Sequence, residues 1–372
     1  MRTQLRAQLS EAARAGLDVT LVCSPSPDLA ALGDELGLRT YGLTIARQTA
    51  PVRDLLSLAQ LTRFFRRERF HLIHSSTPKA GLLCALAGLA ARMPLRMHTY
   101  TGQPWVEMQG VARQVARQAD RLIARLDTHL YADSHSQREF LVRDGVVAAD
   151  RISVIGAGSI AGVELDRFDQ ARRAGDGRAI RERLGIPSDA CVITFVGRLT
   201  RDKGISELVA AFERVSRRPA RVDLLLVGPE EPERAPMPAA AAATIATHPR
   251  IHAVGYSPEP ERYLAAADIF CLPSYREGFG TVVIEAGAMG LPSVATHVTG
   301  LEDTVLDGET GLLVPAKAVD PLVEALDRLI DHPALRRRMG EAGRRRAVEE
   351  FDAAMVNGQM VAEYKKWLGL PS

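Results

Sequence analysis

Short apolar runs alternate with longer amphipathic segments along almost all of this 372-residue chain. The runs are rich in Val, Ile and Leu, whereas segments such as Asp54–Arg67, Gln114–Leu126 and Ile205–Arg217 repeat apolar residues at helical spacing. Strands that are joined by helices run parallel, so this alternation predicts α/β sheets covered by helices on both faces. The predicted strands are Val19–Cys23, Arg39–Gly42, Leu72–His74, Arg96–Tyr100, His129–Ala132, Ile152–Ile155, Cys191–Val196, Asp223–Val227, Ile251–Val254, Ile269–Leu272, Ser293–Thr296 and Gly311–Val314.

The strand–helix pattern occurs twice, with one break. The break, near Gly156–Gly185, is rich in Gly, Asp and Arg and has no strong apolar period. A chain of this length also fits two domains better than one. We therefore predict two doubly wound, Rossmann-like domains, at 1–160 and 161–350, which face each other across a deep cleft. The helix predicted within 351–372 is expected to cross back to the first domain.

Composition and charge argue against several classes of protein. The net charge of +2 is too small for a general attraction to nucleic acid. Cys23, Cys84, Cys191 and Cys271 lie in apolar runs without the spacing of a metal site, which indicates buried thiols in a reducing compartment. The N-terminus lacks the apolar core of a signal peptide, and no uncharged apolar run is long enough to span a bilayer. We therefore expect a cytoplasmic protein without a nucleic-acid partner.

Two glutamates, Glu277 and Glu285, flank a tight glycine loop. Gly278 and Gly280 let the backbone approach a ligand where a side chain would block it. Thr281 is expected to begin a helix, whose free N–H groups and positive dipole end favour a bound anion. Each carboxylate can accept hydrogen bonds from vicinal hydroxyls, as on a ribose or a hexose. The alternative is a surface turn followed by a helix with a solvated glutamate.

A second loop carries Arg198 and Lys203 directly after the predicted strand Cys191–Val196. Both cations are therefore expected at the carboxyl edge of that strand, beside the start of the next helix. Arg offers a planar fork and Lys a point charge, and both suit a diphosphate. Considered alone, a loop of this composition is more often exposed to solvent without binding a ligand. Together with the Glu277 loop on the same sheet edge, it predicts a sugar-nucleotide site.

Several stretches of the second half follow one another in a specific order. They are Val196–Leu199 with Lys203–Gly204, Ala267–Ser274, Glu277–Gly280 with Glu285–Ala286, Gly290–Thr296 and Asp307–Val314. This part of the chain resembles glycosyltransferase family 4, the retaining enzymes of GT-B fold. The resemblance implies an α/β protein in which two Rossmann-like domains face each other across a deep cleft.

The resemblance also implies roles for residues at matching positions. Arg198 and Lys203 would bind the donor diphosphate and act in catalysis. Glu277 would touch the transferred sugar near the reacting face, as a third catalytic residue, and Glu285 would hold the ribose hydroxyls. The remaining donor-binding residues that it implies are Gly197, Gly255 and Tyr256 (the last two near the base), Gly278, Phe279, Gly280 and Thr281.

Four stretches of the first half narrow this resemblance: His74–Leu83, His98–Trp105, Asp133–Arg138 and Gly158–Val163. They resemble the branch that builds capsule, O-antigen and other lipid-linked bacterial polysaccharides. In that branch the acceptor is typically a saccharide on a polyprenyl diphosphate at the cytoplasmic membrane face. Lys79 follows a strand and opens a helix, so it either meets an acceptor phosphate or is a solvated lysine. The acceptor-side candidates are Thr77, Lys79, Thr101 and Gln103.

One segment bears on membrane contact. Leu61–Phe70 mixes aromatic residues with four arginines, a composition that suits an anionic membrane surface. A helix end with a solvated basic face is about as compatible with it. Gly81–Ala91 is apolar and is expected to form a buried helix rather than to enter a membrane. We expect a protein that is peripheral on the inner face of the cell membrane.

The chain departs from the family in two places. Many members have a cleft histidine where this chain has Thr101 and Gly102, so we expect Thr101 or Gln103 to line the cleft, and His98 to be a core or strand-end residue. Members also begin with a strand and a glycine loop, whereas Met1 lies within the expected first helix. Either the true start lies upstream or the first domain lacks this strand.

The resemblance implies hexosyl transfer from a nucleoside-diphosphate sugar, UDP being favoured, with retention by front-face attack. No loop in a suitable position contains an Asp-x-Asp pair or a cluster of His, Asp and Glu with the spacing of metal ligands, so we expect no metal and no cofactor. Arg198 and Lys203 would stabilise the leaving diphosphate instead. Glu277 is the candidate nucleophile if the route is a double displacement. Two alternatives remain: a GT-B-fold sugar-nucleotide epimerase or hydrolase, and a non-catalytic, decayed transferase that still binds nucleotide sugars.

Overall fold

The structure is a computed structural model, which describes residues 6–46, 50–231 and 236–371. It divides into two compact units. Unit 1 comprises Met1–Gly162 and Ala353–Ser372, and unit 2 comprises Val163–Asp352. The C-terminal helix therefore belongs to unit 1, whereas Phe351, expected within that helix, precedes it and lies in unit 2.

Strands and helices alternate in both units. Unit 1 contains α1 Arg6–Arg14, β1 Thr20–Cys23, α2 Pro27–Leu36, β2 Arg39–Gly42, α3 Pro51–Glu68, β3 Leu72–Ser75, α4 Pro78–Ala90, β4 Leu95–Tyr100, a 3₁₀ turn Pro104–Glu107, α5 Gly110–Leu126, β5 His129–Ala132, α6 His135–Arg143, β6 Ile152–Val154 and α15 Ala353–Leu368. Unit 2 contains α7 Gln170–Leu184, β7 Cys191–Val196, a 3₁₀ turn Arg201–Lys203, α8 Ile205–Val215, β8 Val222–Val227, α9 Ala239–Thr247, β9 Ile251–Ala253, α10 Pro260–Leu264, β10 Ile269–Leu272, α11 Thr281–Ala288, β11 Ser293–Thr296, α12 Leu301–Thr304, β12 Gly311–Val314, α13 Val319–Asp331 and α14 Pro333–Glu350.

All twelve predicted strands are present, with ends that differ by at most one residue. Every strand pair is parallel, which confirms the predicted α/β class with two Rossmann-like domains. Strands covered on both faces are expected to be buried along their whole length; β8 and β10 are, and β7 is except for its last residue, Val196. The prediction succeeds because buried parallel strands are continuous apolar runs, which are easily distinguished from the amphipathic helices between them.

The six-stranded sheet of unit 2 has the order β12-β11-β10-β7-β8-β9. The chain moves outward in one direction from β7 to β9 and then returns to the other side of β7 with β10. The strand order therefore reverses between β7 and β10. In open α/β sheets, ligands bind outside the carboxyl ends of the strands at such a reversal.

The strands of unit 1 form two parallel sheets, β1-β2 and β3-β4-β5-β6. Within the described residues, no strand pairs with both β1 and β3. The two sheets share one hydrophobic cluster, in which Val22 of β1 and Tyr41 of β2 pack beside Ile73 of β3. The helix expected to include Met1 begins, in the described part of the chain, at Arg6.

The aromatic residues of Leu61–Phe70 are mostly in the core. Leu61, Phe64 and Phe65 are 1%, 5% and 3% exposed, and Phe64 stacks on Tyr41 with ring centroids 3.8 Å apart. These side chains cannot reach a membrane surface, whereas the four arginines of the segment are exposed. The structure therefore fits the alternative of a helix end with a solvated basic face, and contact of this segment with a membrane stays a prediction. No helix in the described ranges is long and apolar enough to cross a membrane.

The four cysteines are free thiols. Cys191 and Cys271 are buried in β7 and β10, as expected, but Cys23 and Cys84 are only half-buried. Cys23 is the last residue of β1, and the chain continues from it into a loop. Burial raises the pKa of the Cys191 thiol to about 12, which keeps it protonated and unreactive.

Candidate active site

The loop between β10 and α11 lies at the reversal of the strand order in unit 2. Gly280 caps α11 with a φ of 79°, in the left-handed region that favours glycine. A Cβ on Gly280 would lie 2.5 Å from Leu301 Cδ2, so no larger residue fits without displacing that side chain. The first turn of α11, from Thr281, leaves backbone N–H groups that suit an anion.

The loop after β7 packs directly against the loop after β10. Gly204 has a φ of 71°, and a Cβ at this position would lie 2.0 Å from the Pro273 carbonyl oxygen. The Tyr275 N–H donates to the Asp202 carbonyl oxygen at 2.8 Å, and Ser274 Oγ donates to the same oxygen at 3.2 Å. The close backbone approach at Gly204 therefore holds the two loops side by side.

This packing pairs two of the three predicted catalytic residues, and the third, Arg198, lies on the same loop as Lys203. The Lys203 ammonium forms an ion pair with the Glu277 carboxylate. Arg198 Nη1 donates to Glu231 Oε2 at 2.9 Å, and Arg198 Nη2 lies 3.7 Å from Asp202 Oδ2. Although burial raises the pKa of Asp202, its bond from Thr200 and the cations around it, Arg198 first, hold that pKa below its usual value.

Glu285 lies on α11, one turn into the helix. Burial raises the pKa of its carboxyl group to about 8, against a smaller opposing effect of Arg167. Glu261 and Glu164 raise that pKa further. At neutral pH the ligand-free side chain is therefore largely protonated, and a ligand that donates hydrogen bonds would favour its ionisation.

A loop tied down by Arg167 lies near the end of β9. Gly255 has a φ of 73°, and Tyr256 beside it is 70% exposed. Arg167 Nη2 donates to the Pro258 carbonyl oxygen at 2.7 Å and lies 2.8 Å from Glu261 Oε2. Arg167 thus links this loop to α10 and acts electrostatically on Glu285.

Other donor-side residues contribute backbone rather than side chains. Phe279 is 2% exposed and packs edge-on against Phe351, with ring centroids 5.3 Å apart. A Cβ on Gly300 would lie 2.5 Å from the Gly278 carbonyl oxygen, so Gly278 is in a tightly packed turn. Gly197 follows β7, where its carbonyl oxygen would lie 1.8 Å from a Cβ on Gly228.

The acceptor-side candidates are in unit 1, at the carboxyl ends of β3 and β4. Lys79 Nζ lies 2.6 Å from Asp54 Oδ1, which ties the start of α4 to that of α3. Thr77 is the residue before α4, and Thr101 Oγ1 donates to the Ser76 carbonyl oxygen at 2.8 Å. Gln103 is 4% exposed, and its side-chain amide is hydrogen-bonded to that of Gln137 at 3.0 Å.

His98 is a core residue. It is 1% exposed, and its Nδ1 lies 2.8 Å from Ser75 Oγ. Burial, with a smaller effect of His74, lowers the pKa of His98 to about 3. The imidazole is therefore neutral at physiological pH.

Three residues of this region were not identified from the sequence: Arg167, Glu231 and Glu261. Glu231 lies at the carboxyl end of β8, so the rule that ligands bind at strand ends could have drawn attention to it. Arg167 lies in the stretch expected to be a linker, and its partner Pro258 is 91 residues away. No local pattern marks such a contact.

The chain matches two families of known proteins. Residues 176–346 match the family "Glycosyl transferases group 1", and residues 1–158 match the family "Glycosyl transferase 4-like domain". The first match contains all the predicted donor-binding residues, from Gly197 to Glu285, and the second contains the acceptor-side candidates. Together the two matches cover most of both units.

Three relatives align with most of the chain. The capsular polysaccharide biosynthesis glycosyltransferase CapM of Staphylococcus aureus is 28% identical, covering 98% of this chain and 94% of its own length. The alpha-maltose-1-phosphate synthase of Mycolicibacterium smegmatis is 30% identical, over 83% of this chain and 82% of its own. The UDP-Gal:alpha-D-GlcNAc-diphosphoundecaprenol alpha-1,3-galactosyltransferase of Escherichia coli is 25% identical, over 86% of this chain and 81% of its own.

The fold also resembles solved structures. The structure of Anabaena Alr3699/HepE in complex with UDP and glucose superposes with a TM-score of 0.80 at 19% identity, covering 97% of this chain and 95% of that one. At this identity the likeness shows the fold, which is GT-B. Fold, family matches and relatives agree: the chain belongs to the group 1, family 4 glycosyltransferases and is a glycosyltransferase.

Proposed function

We propose that this glycosyltransferase moves a hexosyl group from a UDP-sugar to a saccharide carried on a polyprenyl diphosphate, during synthesis of a bacterial surface polysaccharide. One observation carries the donor side of the proposal. Lys203 pairs with Glu277 at the carboxyl ends of β7 and β10, where the strand order reverses and a helix begins, and Arg198 lies on the same loop as Lys203. Two cations beside a helix N-terminus suit a diphosphate.

The chemistry follows from this placement. As the bond from the anomeric carbon to the diphosphate oxygen breaks, the sugar becomes oxocarbenium-like and negative charge grows on the diphosphate. Arg198, Lys203 and the N-terminus of α11 stabilise that charge. The acceptor hydroxyl attacks from the face that the diphosphate leaves, and the leaving oxygen takes its proton, so configuration is retained. The cations supply the charge stabilisation without a metal.

Glu277 has a separate role in the proposal. Its carboxylate is paired with Lys203, which places it beside the diphosphate and therefore beside the attached sugar. From there it accepts hydrogen bonds from sugar hydroxyls and orients the anomeric carbon. An ion pair with Lys203 also makes the carboxylate a weaker nucleophile, which favours front-face attack over a double displacement.

The nucleoside would bind at Glu285 and at the loop of Gly255 and Tyr256. Glu285 would accept hydrogen bonds from the two ribose hydroxyls, and Gly255 would let the base approach the backbone. Backbone N–H groups of Gly280 and Thr281 would contact phosphate. The Escherichia coli relative is a UDP-Gal-dependent transferase and the HepE structure contains UDP, which supports uracil as the base.

The acceptor side of the proposal rests on unit 1 and on two relatives. CapM acts in capsule synthesis, and the Escherichia coli relative acts on a diphosphoundecaprenol. The maltose-1-phosphate synthase shows that family members also use other acceptors. Lys79, together with Thr77 and Thr101, would meet the acceptor at the carboxyl ends of β3 and β4.

A lipid-linked acceptor requires contact with the inner face of the cell membrane. The exposed apolar side chains of α3 suit this better than its buried aromatics: Val52, Leu55 and Leu56 are 76%, 67% and 58% exposed, with Arg53 among them. Apolar side chains beside a cation suit an anionic lipid surface. Leu55→Glu with Leu56→Glu should abolish co-flotation with anionic vesicles, whereas Gln60→Glu on the same helix should not. Equal flotation of both variants would refute this surface.

The decisive test of the proposed function is acceptor-dependent UDP release from a panel of UDP-sugars, with membrane extract as acceptor. Arg198→Ala and Lys203→Ala should each reduce turnover by about 100-fold, since charge-stabilising groups contribute on that order. Arg214→Ala, which removes an exposed cation of unit 2 paired with Asp320, is the matched control and should keep full activity. UDP binding without turnover on any acceptor would instead indicate a non-catalytic nucleotide-sugar-binding protein.

A further inference from the structure

Both cations of the proposed diphosphate site are already paired with carboxylates. Lys203 is paired with Glu277, a residue that the sugar also needs. Arg198 is paired with Glu231, at 2.9 Å, and the proposed function has no use for this residue. Asp202 lies further away, 3.7 Å from the guanidinium. Glu231 is thus the main anion that Arg198 contacts in the ligand-free protein.

The position of Glu231 is held by the backbone. It follows β8, the neighbour of β7 on the side away from β10. The Leu199 N–H donates to the Pro229 carbonyl oxygen at 2.9 Å, so the residue after Arg198 is hydrogen-bonded to the loop that carries Glu231. The side chains of Arg198 and Glu231 are 40% and 19% exposed, so both can still move to solvent.

We propose that Glu231 occupies the place of a donor phosphate oxygen on Arg198, so that the donor must displace it, and that Glu231 thereby sets donor affinity and anion selectivity. This inference rests on the proposed function, because it takes Arg198 as a ligand of the diphosphate. A carboxylate oxygen and a phosphate oxygen accept the same N–H donors of a guanidinium. The two anions therefore compete for one group.

Selectivity follows from the competition. An anion that reaches Arg198 alone exchanges one oxygen contact for another and gains little. A nucleoside diphosphate also binds through its nucleoside, whose proposed contacts at Glu285 and Gly255 do not displace Glu231. The cost of displacing Glu231 is therefore a larger part of the binding free energy of a small anion, such as inorganic phosphate, than of a nucleoside diphosphate.

The size of the effect follows from exposure. A partly exposed ion pair contributes little, and its loss corresponds to about a 2- to 5-fold change in a binding constant. Glu231→Gln should therefore bind UDP about 2- to 5-fold more tightly than the wild type, measured by calorimetry on the full chain. Uridine, which has no phosphate, should bind equally to both proteins.

Glu230→Gln is a closely matched control, because it removes the same charge one residue earlier from an exposed side chain. It should leave the UDP affinity unchanged. In the Arg198→Ala background, Glu231→Gln should no longer change the UDP affinity, because Glu231 and the diphosphate then have no guanidinium for which to compete. Thermal unfolding of each variant checks that the fold is intact.

Each other outcome overturns the inference in a recognisable way. Unchanged UDP binding by Glu231→Gln means that the pair does not compete with the donor, and weaker binding means that Glu231 positions Arg198 instead. A gain that persists in the Arg198→Ala background reflects general charge rather than displacement. If Arg198→Ala alone leaves UDP affinity unchanged, the diphosphate site itself is wrong, and the proposed function loses its main support.

Discussion

Replacing Glu285 by glutamine should stabilise the ligand-free protein, and the gain should grow as the pH rises. Burial raises the pKa of Glu285 to about 8, whereas the ordinary value is 4.5. Between these values the unfolded chain releases the proton and the folded chain keeps it, so the unfolded state binds fewer protons. The free energy of unfolding therefore falls as the pH rises from 4.5 towards 8, and above that it no longer depends on this group.

The magnitude follows from the two pKa values. Each pH unit well between them changes the free energy of unfolding by about 1.4 kcal/mol, and the change is smaller close to either value. The wild type should therefore lose about 3.5 kcal/mol relative to Glu285→Gln between pH 5 and pH 8. For a unit of this size that is about 7–14 °C in melting temperature. Glutamine has the same shape and does not titrate, so the comparison isolates the charge.

The assay is thermal unfolding of both proteins at several pH values without ligand. Glu309→Gln, which changes an exposed carboxylate of the same unit, should follow the wild-type curve. Parallel curves for the wild type and Glu285→Gln would refute the conclusion that burial keeps this carboxyl protonated. The same substitution should weaken UDP binding by about 10-fold, as a hydrogen bond to a charged group is worth about 1.5–3 kcal/mol. A gain in stability with a loss in binding is the combination expected if this half-buried carboxylate binds the donor.

Two further predictions concern packing. Gly204→Ala should lower both stability and UDP affinity, because its Cβ would lie 2.0 Å from the Pro273 carbonyl oxygen. Gly185 has a similar φ of 65° but open space around it, so Gly185→Ala should lower the free energy of unfolding by only about 1 kcal/mol. Equal melting temperatures for the two variants would contradict this prediction. Phe64→Ala should lower the free energy of unfolding by about 3–5 kcal/mol, measured by urea denaturation, while Arg67→Ala on the exposed face of the same helix should change it by no more than about 0.5 kcal/mol.

The secondary structure and the glycine-containing loops after β7 and β10 could be predicted because each is encoded locally. A continuous apolar run bounded by Gly or Pro predicts a buried strand wherever it lies, and the start of a helix at Thr281 follows from the glycine before it. The spacing of Leu61, Phe64 and Phe65 also marks an inward-facing helical stripe, with Arg63 and Arg67 on the other face. Composition alone groups these aromatic residues with the arginines, whereas the helical period places them on opposite faces.

Side-chain partners across loops could not be predicted, because they depend on which strands are neighbours. Glu231 follows Arg198 by 33 residues and Glu277 follows Lys203 by 74. Nothing in the local sequence around Arg198 indicates that the loop after β8 would reach it. The burial that raises the pKa of Glu285 likewise comes from the packing of unit 2 as a whole and not from the residues adjacent in sequence.

The strand order explains why the cations are paired as they are. β7 lies between β10 and β8, so the loop that follows it has a neighbouring loop on each side. Glu277 comes from one side and pairs with Lys203, and Glu231 comes from the other and pairs with Arg198. Cations on the loop after an edge strand, such as β9, would have a neighbour on one side only. Placing Arg198 and Lys203 after β7 therefore lets the sheet pair each of them with a separate carboxylate, and a diphosphate that bridges the two cations replaces both contacts at once.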